Sequence, residues 1–249
     1  MEKEKALQAA APPQAGDFLA CEKRWVYAVM TFVGGYFGAF TYSIRGGVFC
    51  NAQTGNFVLL AMALGRREWM HALYFLIPIS AYCLGAFLSE LLPKYVKRFR
   101  LIRWDTLFIM VEIAVVIFLG CLPESAPVQI TQVLVNFICS MQYNTFRQAE
   151  GVPMATTFCT NHIRQVGLSV CKAIQHPTDR RSHFKRMGMH LGMLCSFLAG
   201  GVASTFFCGL LLGKAVWLSL IPLGVILADL LYADLIKEKG QLGQVPHGH

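Results

Sequence analysis

Six long apolar segments restrict what this chain can fold into more than any other feature of its sequence. Each has about 18 or more residues and almost no charge, which is the composition of a helix that crosses a lipid bilayer. The segments are 25–43, 72–92, 104–121, 128–146, 188–212 and 215–235. Only 14% of all residues are charged, whereas soluble domains have roughly 25%. The sequence therefore predicts an all-α integral membrane protein with about six transmembrane helices.

The two ends of the chain have the composition of disordered tails. Residues 1–24 combine charge, Ala and Pro without a continuous apolar stretch, which argues against a cleaved signal peptide. Residues 238–249 also contain little that could be buried. We therefore expect a disordered amino-terminal arm at 1–24, a first membrane repeat at 25–122, a second at 128–237 and a disordered tail at 238–249.

The basic residues indicate how the helices are oriented. Most lysines and arginines lie in the two tails and in the connections 93–103 and 172–186, whereas the connection 122–127 has none. Because Lys and Arg are enriched in cytoplasmic loops, both termini are predicted to lie in the cytoplasm. The same basic connections are expected to contact anionic lipids of the bilayer. The net charge is +8, but no nucleic-acid-binding module is recognisable, so no nucleic-acid partner is predicted.

Two further apolar segments, 51–65 and 155–171, are too short to cross. Fifteen helical residues measure roughly 22 Å, which is less than the ~30 Å thickness of the hydrocarbon core. A complete crossing at 51–65 would also reverse the charge pattern of the loops. Both segments are therefore predicted to be short re-entrant half helices.

The two short segments also resemble each other. Displacing the chain by 106 residues aligns TGN at 54–56 with TNH at 160–162, and Asn51 with Thr157. Each half then holds three spanning helices and one half helix, and an odd number of crossings inverts one half relative to the other. The sequence predicts an inverted 3+3 repeat whose two motifs enclose a watery chamber, a recurrent design of transporters.

Two longer stretches carry a resemblance to a known family. They are GGYFGAFTYSIRGGVFCNAQTGNFVLLAMALG (34–65) and SMQYNTFRQAEGVPMATTFCTNHIR (140–164). They closely resemble the two signature regions of the YoaK-like bacterial membrane proteins, domain of unknown function 1275. The resemblance implies about six transmembrane helices, a multi-pass location in the bacterial inner membrane and no settled activity, with transport as the usual hypothesis.

The chain departs from the family pattern at two positions. Its first helix has Gly38 where members commonly carry an acidic residue. The second motif usually reads Thr-Gly-Asn-Leu-Arg, so a titratable His162 here replaces an amide. The second departure is a candidate cause of altered substrate preference.

The candidate substrate-binding residues are polar or ionisable side chains near the two helix breaks or inside the predicted helices. Ionisable groups at membrane depth are costly and indicate function or an internal partner. Irregular backbone is tolerated there only inside protein or beside a cavity. The residues are Arg45, Asn51, Gln53, Thr54, Asn56, Glu112, Gln142, Asn144, Arg147, Thr157, Thr160, Asn161, His162 and Arg164.

Each candidate also has a structural interpretation. The amides of the first motif can simply satisfy helix ends, and His162 can be a hydrogen-bonded packing residue. Glu112 is expected to pair with Arg45 or Arg147, either as a structural ion pair or for proton coupling or substrate contact. Arg147 lies three residues before Glu150, which is close enough for a pair on one helical face.

We predict an inner-membrane transporter, a carrier or a channel, for a small polar solute bound between the two broken-helix motifs. An anionic solute is one option, because Arg45 and Arg164 can each donate two parallel hydrogen bonds. One alternative is a membrane-embedded hydrolase or thiol enzyme that uses Cys50 or Cys159 with His162. Another is a non-transporting sensor or scaffold. No catalytic motif is recognisable, so no catalytic residue is assigned and the chain is not predicted to be an enzyme.

The cysteines and glycines limit cofactors and partners. The nine cysteines lie mostly in apolar segments and form no CxxC pair, so neither a disulfide framework, a metal site nor a cofactor is predicted. GxxxG pairs at 34/38, 188/192 and 209/213 are expected to be helix-packing faces. They also make a homodimer an option.

Overall fold

Helices make up nearly all of the structure. The computed structural model describes residues 18–99 and 101–247. Its α-helices are α1 (Arg24–Ile44), α2 (Gln53–Gly65), α3 (Trp69–Phe99), α4 (Trp104–Cys121), α5 (Val128–Thr145), α6 (Thr160–Gln175), α7 (Arg180–Leu211) and α8 (Leu220–Tyr232). The prediction of a helical fold is confirmed for this part of the chain.

The remaining regular structure is short. Strands β1 (Gln148–Ala149) and β2 (Val152–Pro153) form an antiparallel hairpin between α5 and α6. Turns of 3-10 helix occupy Ala20–Glu22, Pro177–Asp179, Leu212–Ser219 and Lys239–Gln241, and a π-helical turn occupies Ala233–Lys237.

Three helical stretches are long and apolar enough to cross a membrane. They are Trp69–Val96 in α3, Trp104–Cys121, which is all of α4, and Pro177–Lys237, which contains α7 and α8. Helix α1 has 21 residues and α5 has 18, but α1 is rich in glycine and α5 in side-chain amides. The chain therefore has membrane-compatible helices, and the count of six spans stays a prediction.

The helices pack in a crossed order relative to the sequence. Helix α1 packs against α7 and α3 packs against α5, so the first helix of each half contacts the third helix of the other half. Helix α2 lies on α3, α6 lies on α7, and α4 contacts α8. Apolar side chains of α1, α4, α5 and α8 form the common core, among them Phe37, Phe108, Ile138 and Ile226.

The contact between α1 and α7 depends on two glycines. A Cβ atom at Gly35 would collide with the backbone carbonyl of Phe197, and one at Gly200 would collide with the carbonyl of Phe32. The missing side chains let the two backbones approach closely, as small residues do in pairs of membrane helices.

The predicted GxxxG faces are only partly correct. Gly34 and Gly38 have close neighbours, but these belong to irregular loops and not to another helix. A Cβ added at Gly188, Gly192 or Gly209 would meet no atom within 4 Å. The prediction of helix-packing faces is therefore wrong for the 188/192 pair and for Gly209 within the described chain.

Arg103 lies in a buried ionic network at one end of the bundle. Its guanidinium is 3.2 Å from a carboxylate oxygen of Asp105, 3.9 Å from one of Asp234 and 3.8 Å from one of Glu238. Burial alone would lower the pKa of Arg103, but its neighbours, chiefly the Asp105 carboxylate, together outweigh burial and raise that pKa above its ordinary value. The network fixes the connection between α3 and α4 to the segment that follows α8.

Two buried carboxylates hold the described parts of both predicted tails. The Glu22 carboxylate accepts a hydrogen bond from the backbone N–H of His247 (2.7 Å). The Glu238 carboxylate accepts one from the N–H of Ala20 (2.9 Å). The remaining residues of the two tails lie outside the described residues.

Replacing Gly200 by Ala should destabilise the fold, because the new Cβ would meet the carbonyl of Phe32. Overpacking of this kind costs roughly 1–3 kcal/mol, which should lower the melting temperature of the purified protein in detergent. Gly192→Ala is the matched control, since Gly192 lies about two turns earlier in the same helix and faces open space. Equal melting temperatures for the two variants would contradict the close contact between α1 and α7.

Candidate substrate-binding site

Two glycines turn the chain at the end of α1. Gly46 and Gly47 have φ angles of +84° and +70°, a region that residues with side chains rarely adopt. A Cβ at Gly46 would also collide with the side chains of Tyr74 and Gln132. The chain therefore turns back into the bundle, and residues 45–52, here called the first loop, connect α1 to α2 without regular structure.

Asn56 secures the first loop from within α2. Its Oδ1 accepts a hydrogen bond from the N–H of Phe49 (3.1 Å), and its Nδ2 donates to the carbonyl of Phe49 (2.7 Å). One buried amide thus satisfies both backbone groups of a residue outside regular structure. The Nδ2 also donates to the side-chain oxygen of Gln53 (3.1 Å), so neither of its hydrogens is left for a solute.

His162 makes the corresponding contact in the second half of the chain. Residues 154–159, here called the second loop, run between β2 and α6, and His162 Nε2 donates to the carbonyl of Ala155 (2.6 Å). The separation of seven residues equals that between Asn56 and Phe49. Both helices therefore hold the preceding loop in the same way.

A second histidine completes the hydrogen bonds of His162. Because the Ala155 carbonyl can only accept, Nε2 of the neutral His162 ring carries the hydrogen and Nδ1 is an acceptor. That Nδ1 lies 2.9 Å from Nδ1 of His190 on α7, which must therefore donate. The other nitrogen of His190 is buried without a partner among the described residues. The pair links α6 to α7.

Both loops contact the same face of α1. Asn51 of the first loop donates from Nδ2 to the carbonyl of Gly34 (2.9 Å), and a Cβ at Gly38 would lie 2.8 Å from that nitrogen. A Cβ at Gly34 would collide with the carbonyl of Thr156 in the second loop. The glycines of α1 thus provide the space in which the two loops meet.

A cavity of about 890 Å³ lies between the two loops, α1 and α7. We call it the intermotif cavity. Its walls include Phe49 and Asn51 from the first loop, Thr157 from the second, and Phe197 and Phe206 from α7. The lining is mainly apolar, and none of its residues in the described chain is charged. This differs from the watery chamber expected from the sequence.

The second loop also forms part of the wall of a smaller cavity of about 310 Å³. Its walls are more polar and include Asn144, Arg147 and Asn161. Phe158 lines both cavities, and its ring packs against Tyr143 with 4.8 Å between ring centroids. The walls of the two cavities therefore share the side chain of Phe158.

Sequence reasoning missed two fully buried amides of α5. Gln53 donates to Oδ1 of Asn136 (2.7 Å), and Gln132 donates to the carbonyl of Arg45 (2.7 Å). These bonds attach both ends of the first loop to α5. The signal that could have found them is the spacing of four between Gln132, Asn136 and Ser140, which puts three polar side chains on one face of the helix.

The ionisable candidates do not pair as predicted. Arg45 pairs with Glu124 (3.3 Å) and Arg147 pairs with Glu90 (2.8 Å). Both oxygens of Glu112 are buried and have no hydrogen-bond partner in the part of the chain that the structure describes. The predicted pairing of Glu112 with either arginine is therefore wrong, because each arginine lies near an acid on a different element.

The local pair predicted between Arg147 and Glu150 is also wrong. Glu150 forms its ion pair with Arg24 at the start of α1, and its backbone N–H donates to the carbonyl of Glu22 (2.9 Å). Since Glu150 lies in the turn between β1 and β2, these contacts fix the hairpin to the start of α1.

Four other predicted residues lie apart from the intermotif cavity. Gln142 donates to the carbonyl of Met30 (3.0 Å) and Asn144 donates to the hydroxyl of Ser89 (2.7 Å), so both amides tie α5 to a neighbouring helix. Thr54 and Arg164 are exposed and do not line the cavity, whereas Thr160 is exposed and does line it.

Replacing His162 by Leu should destabilise the protein, because the Ala155 carbonyl and the His190 N–H would lose their partner. Each buried unpaired group costs roughly 1–3 kcal/mol. His162→Asn should lose less, since an amide serves the first loop at the corresponding position. Melting temperatures in detergent would measure both effects, with His176→Leu, at an exposed position, as the control. A Leu variant that melts like the unmodified protein would contradict the role assigned to His162.

Comparison with known proteins gives a family but no activity. No curated protein matches the chain, and no solved structure matches it. The model of one family, described as protein of unknown function (DUF1275), matches residues 26–228, which include both loops and the residues that line the intermotif cavity. The chain therefore belongs to the DUF1275 family.

Proposed function

We propose that the protein transports a small solute across the bacterial inner membrane, as a carrier or a channel, with both termini in the cytoplasm. The observation that carries this proposal is the intermotif cavity, in which one loop from each half of the chain forms a wall. Irregular backbone at membrane depth is expected only inside protein or beside a cavity. A cavity built from two such loops is a natural site for a solute.

The order of helix packing supports the inverted repeat that the proposal includes. Helix α1 of the first half contacts α7, and its counterpart α5 in the second half contacts α3. In the same way, α2 contacts α3 in the first half and α6 contacts α7 in the second. Helices α4 and α8, the last of each half, contact each other. An approximate two-fold axis in the membrane plane would produce this order, with six spanning helices and α2 and α6 as half helices.

The two cavities suggest a route for the solute. Phe158 lines both the intermotif cavity and the smaller polar cavity. A rotation of this ring would join the spaces, and its packing on Tyr143 would keep them apart otherwise. We therefore assign Phe158 as the constriction on the transport route.

The contacts of the cysteines argue against the enzyme alternative. A thiol nucleophile needs an adjacent base to accept its proton. Both ring nitrogens of His162 are already hydrogen-bonded, so that ring is a poor base for Cys159. The thiol of Cys50 faces the thiol of Cys139 at 3.6 Å and not an imidazole.

Substitution of Phe158 tests the route. Solutes that stabilise the purified protein against heat would be radiolabelled, and their uptake into liposomes containing the protein measured. Phe158→Trp should slow uptake about tenfold, as expected for ~1.4 kcal/mol added to the barrier, whereas Phe158→Ala should accelerate it. Phe87→Trp is the matched control, because Phe87 is 61% exposed on α3. Absence of uptake for every stabilising solute, or normal uptake by Phe158→Trp, would overturn the proposal.

A further inference from the structure

We propose that the intermotif cavity binds a neutral amphiphile, a molecule with an apolar body and one hydrogen-bond-donating head group, which enters sideways from the bilayer. The inference rests on the proposed function, because it names the class of solute. It differs from the small polar or anionic solute that the sequence predicts. Three features of the cavity lead to it: an opening toward lipid, an uncharged lining and an unpaired acceptor on Asn51.

The opening lies on the outer face of α7. Leu198, Val202 and Phe206 line the cavity, yet they are also 68%, 63% and 63% exposed. Such apolar side chains on a membrane-spanning helix face hydrocarbon, since water is absent at that depth. A ligand therefore reaches the cavity from the bilayer without crossing a polar entrance.

The lining selects against charge. Of the two arginines that were expected to bind an anion, Arg45 pairs with Glu124, and Arg164 is exposed and does not line the cavity. No ionised side chain of the described residues lines the intermotif cavity. Moving an unpaired carboxylate or ammonium into such surroundings is strongly unfavourable. The body and the head group of the ligand are therefore both uncharged.

Asn51 specifies the head group. The residue lines the cavity and is only 5% exposed. Its Nδ2 donates to the carbonyl of Gly34, which identifies the other atom as Oδ1, and Oδ1 has no hydrogen-bond partner in the described chain. Gly38 has no side chain, and this leaves space beside Oδ1. A Cβ atom at Gly38 would lie 3.2 Å from that oxygen. A hydroxyl or an amide N–H on the ligand would satisfy it.

The cavity is large enough for an organic ligand. A volume of about 890 Å³ lies in the range of roughly 300–1,000 Å³ that is typical of small-molecule sites. A hydrocarbon without a head group would leave Oδ1 of Asn51 unpaired. A carboxylate would bring a second acceptor against it. An alcohol of medium chain length is uncharged and has a hydroxyl that can donate to Oδ1 of Asn51.

Photo-crosslinking in nanodiscs tests the inference. The probe is a medium-chain primary alcohol with a diazirine in its chain, and the matched probes are the corresponding carboxylic acid and methyl ether. The alcohol should label residues 157–160 or 197–206 about five- to tenfold more than either matched probe, which is the difference expected for one hydrogen bond. Peptide mapping by mass spectrometry would locate the label.

Two variants at glycines of α7 give the matched comparison. Gly201→Leu should abolish labelling because its side chain would fill the cavity, and its Cβ would make only ordinary contacts, 3.8 Å from the carbonyl of Gly35. Gly192→Leu adds the same side chain where nothing lies within 4 Å, and the alcohol probe should label this variant as strongly as the unmodified protein. Melting temperatures of both variants would establish that they fold. Normal labelling of a folded Gly201→Leu variant would overturn the inference.

Other outcomes separate the inference from the proposed function. Equal labelling by all three probes, or label confined to other surfaces, would overturn the amphiphile site even if liposomes took up another solute. Selective labelling by the alcohol without uptake of any solute would support the amphiphile site and contradict the proposal of transport.

Discussion

Backbone groups that leave a helix inside an apolar bundle must find hydrogen-bond partners there, because hydrocarbon offers none. Asn56 meets this requirement for Phe49 of the first loop and His162 meets it for the carbonyl of Ala155 in the second, each bonding the residue seven positions earlier. With these bonds in place, both loops remain irregular deep in the bundle. The cavity between them exists because neither loop continues as a helix.

Helix α1 makes this arrangement possible by having glycine on two faces. Gly35 lets α7 approach on one face, and Gly34 and Gly38 leave space for the two loops on the adjacent face. A helix with ordinary side chains at these positions would exclude either α7 or the loops. Close helix packing and the cavity therefore depend on the same short stretch of sequence, which also explains why that stretch is less apolar than a typical spanning helix.

The helices could be predicted wherever an apolar run has sharp ends, as for 104–121, which coincides with α4. Segment 155–171 starts too early, because 154–159 stay irregular and their small and polar residues do not distinguish a loop from the first turns of a helix. The two loops of the candidate site could be located from polar residues in apolar surroundings. The partners of the charged residues could not, since Glu124 lies 79 positions from Arg45 and only the folded chain brings them together.

The two histidines depend on each other for a hydrogen bond. Loss of His162 alone would leave the N–H of His190 without an acceptor, and loss of His190 alone would leave Nδ1 of His162 without a donor. Asn56 depends on no side chain of another helix, because its amide bonds the backbone of Phe49 and the side chain of Gln53 in its own helix. Relatives that carry an amide at position 162 should therefore also differ at position 190, whereas position 56 can change without a matching substitution on another helix.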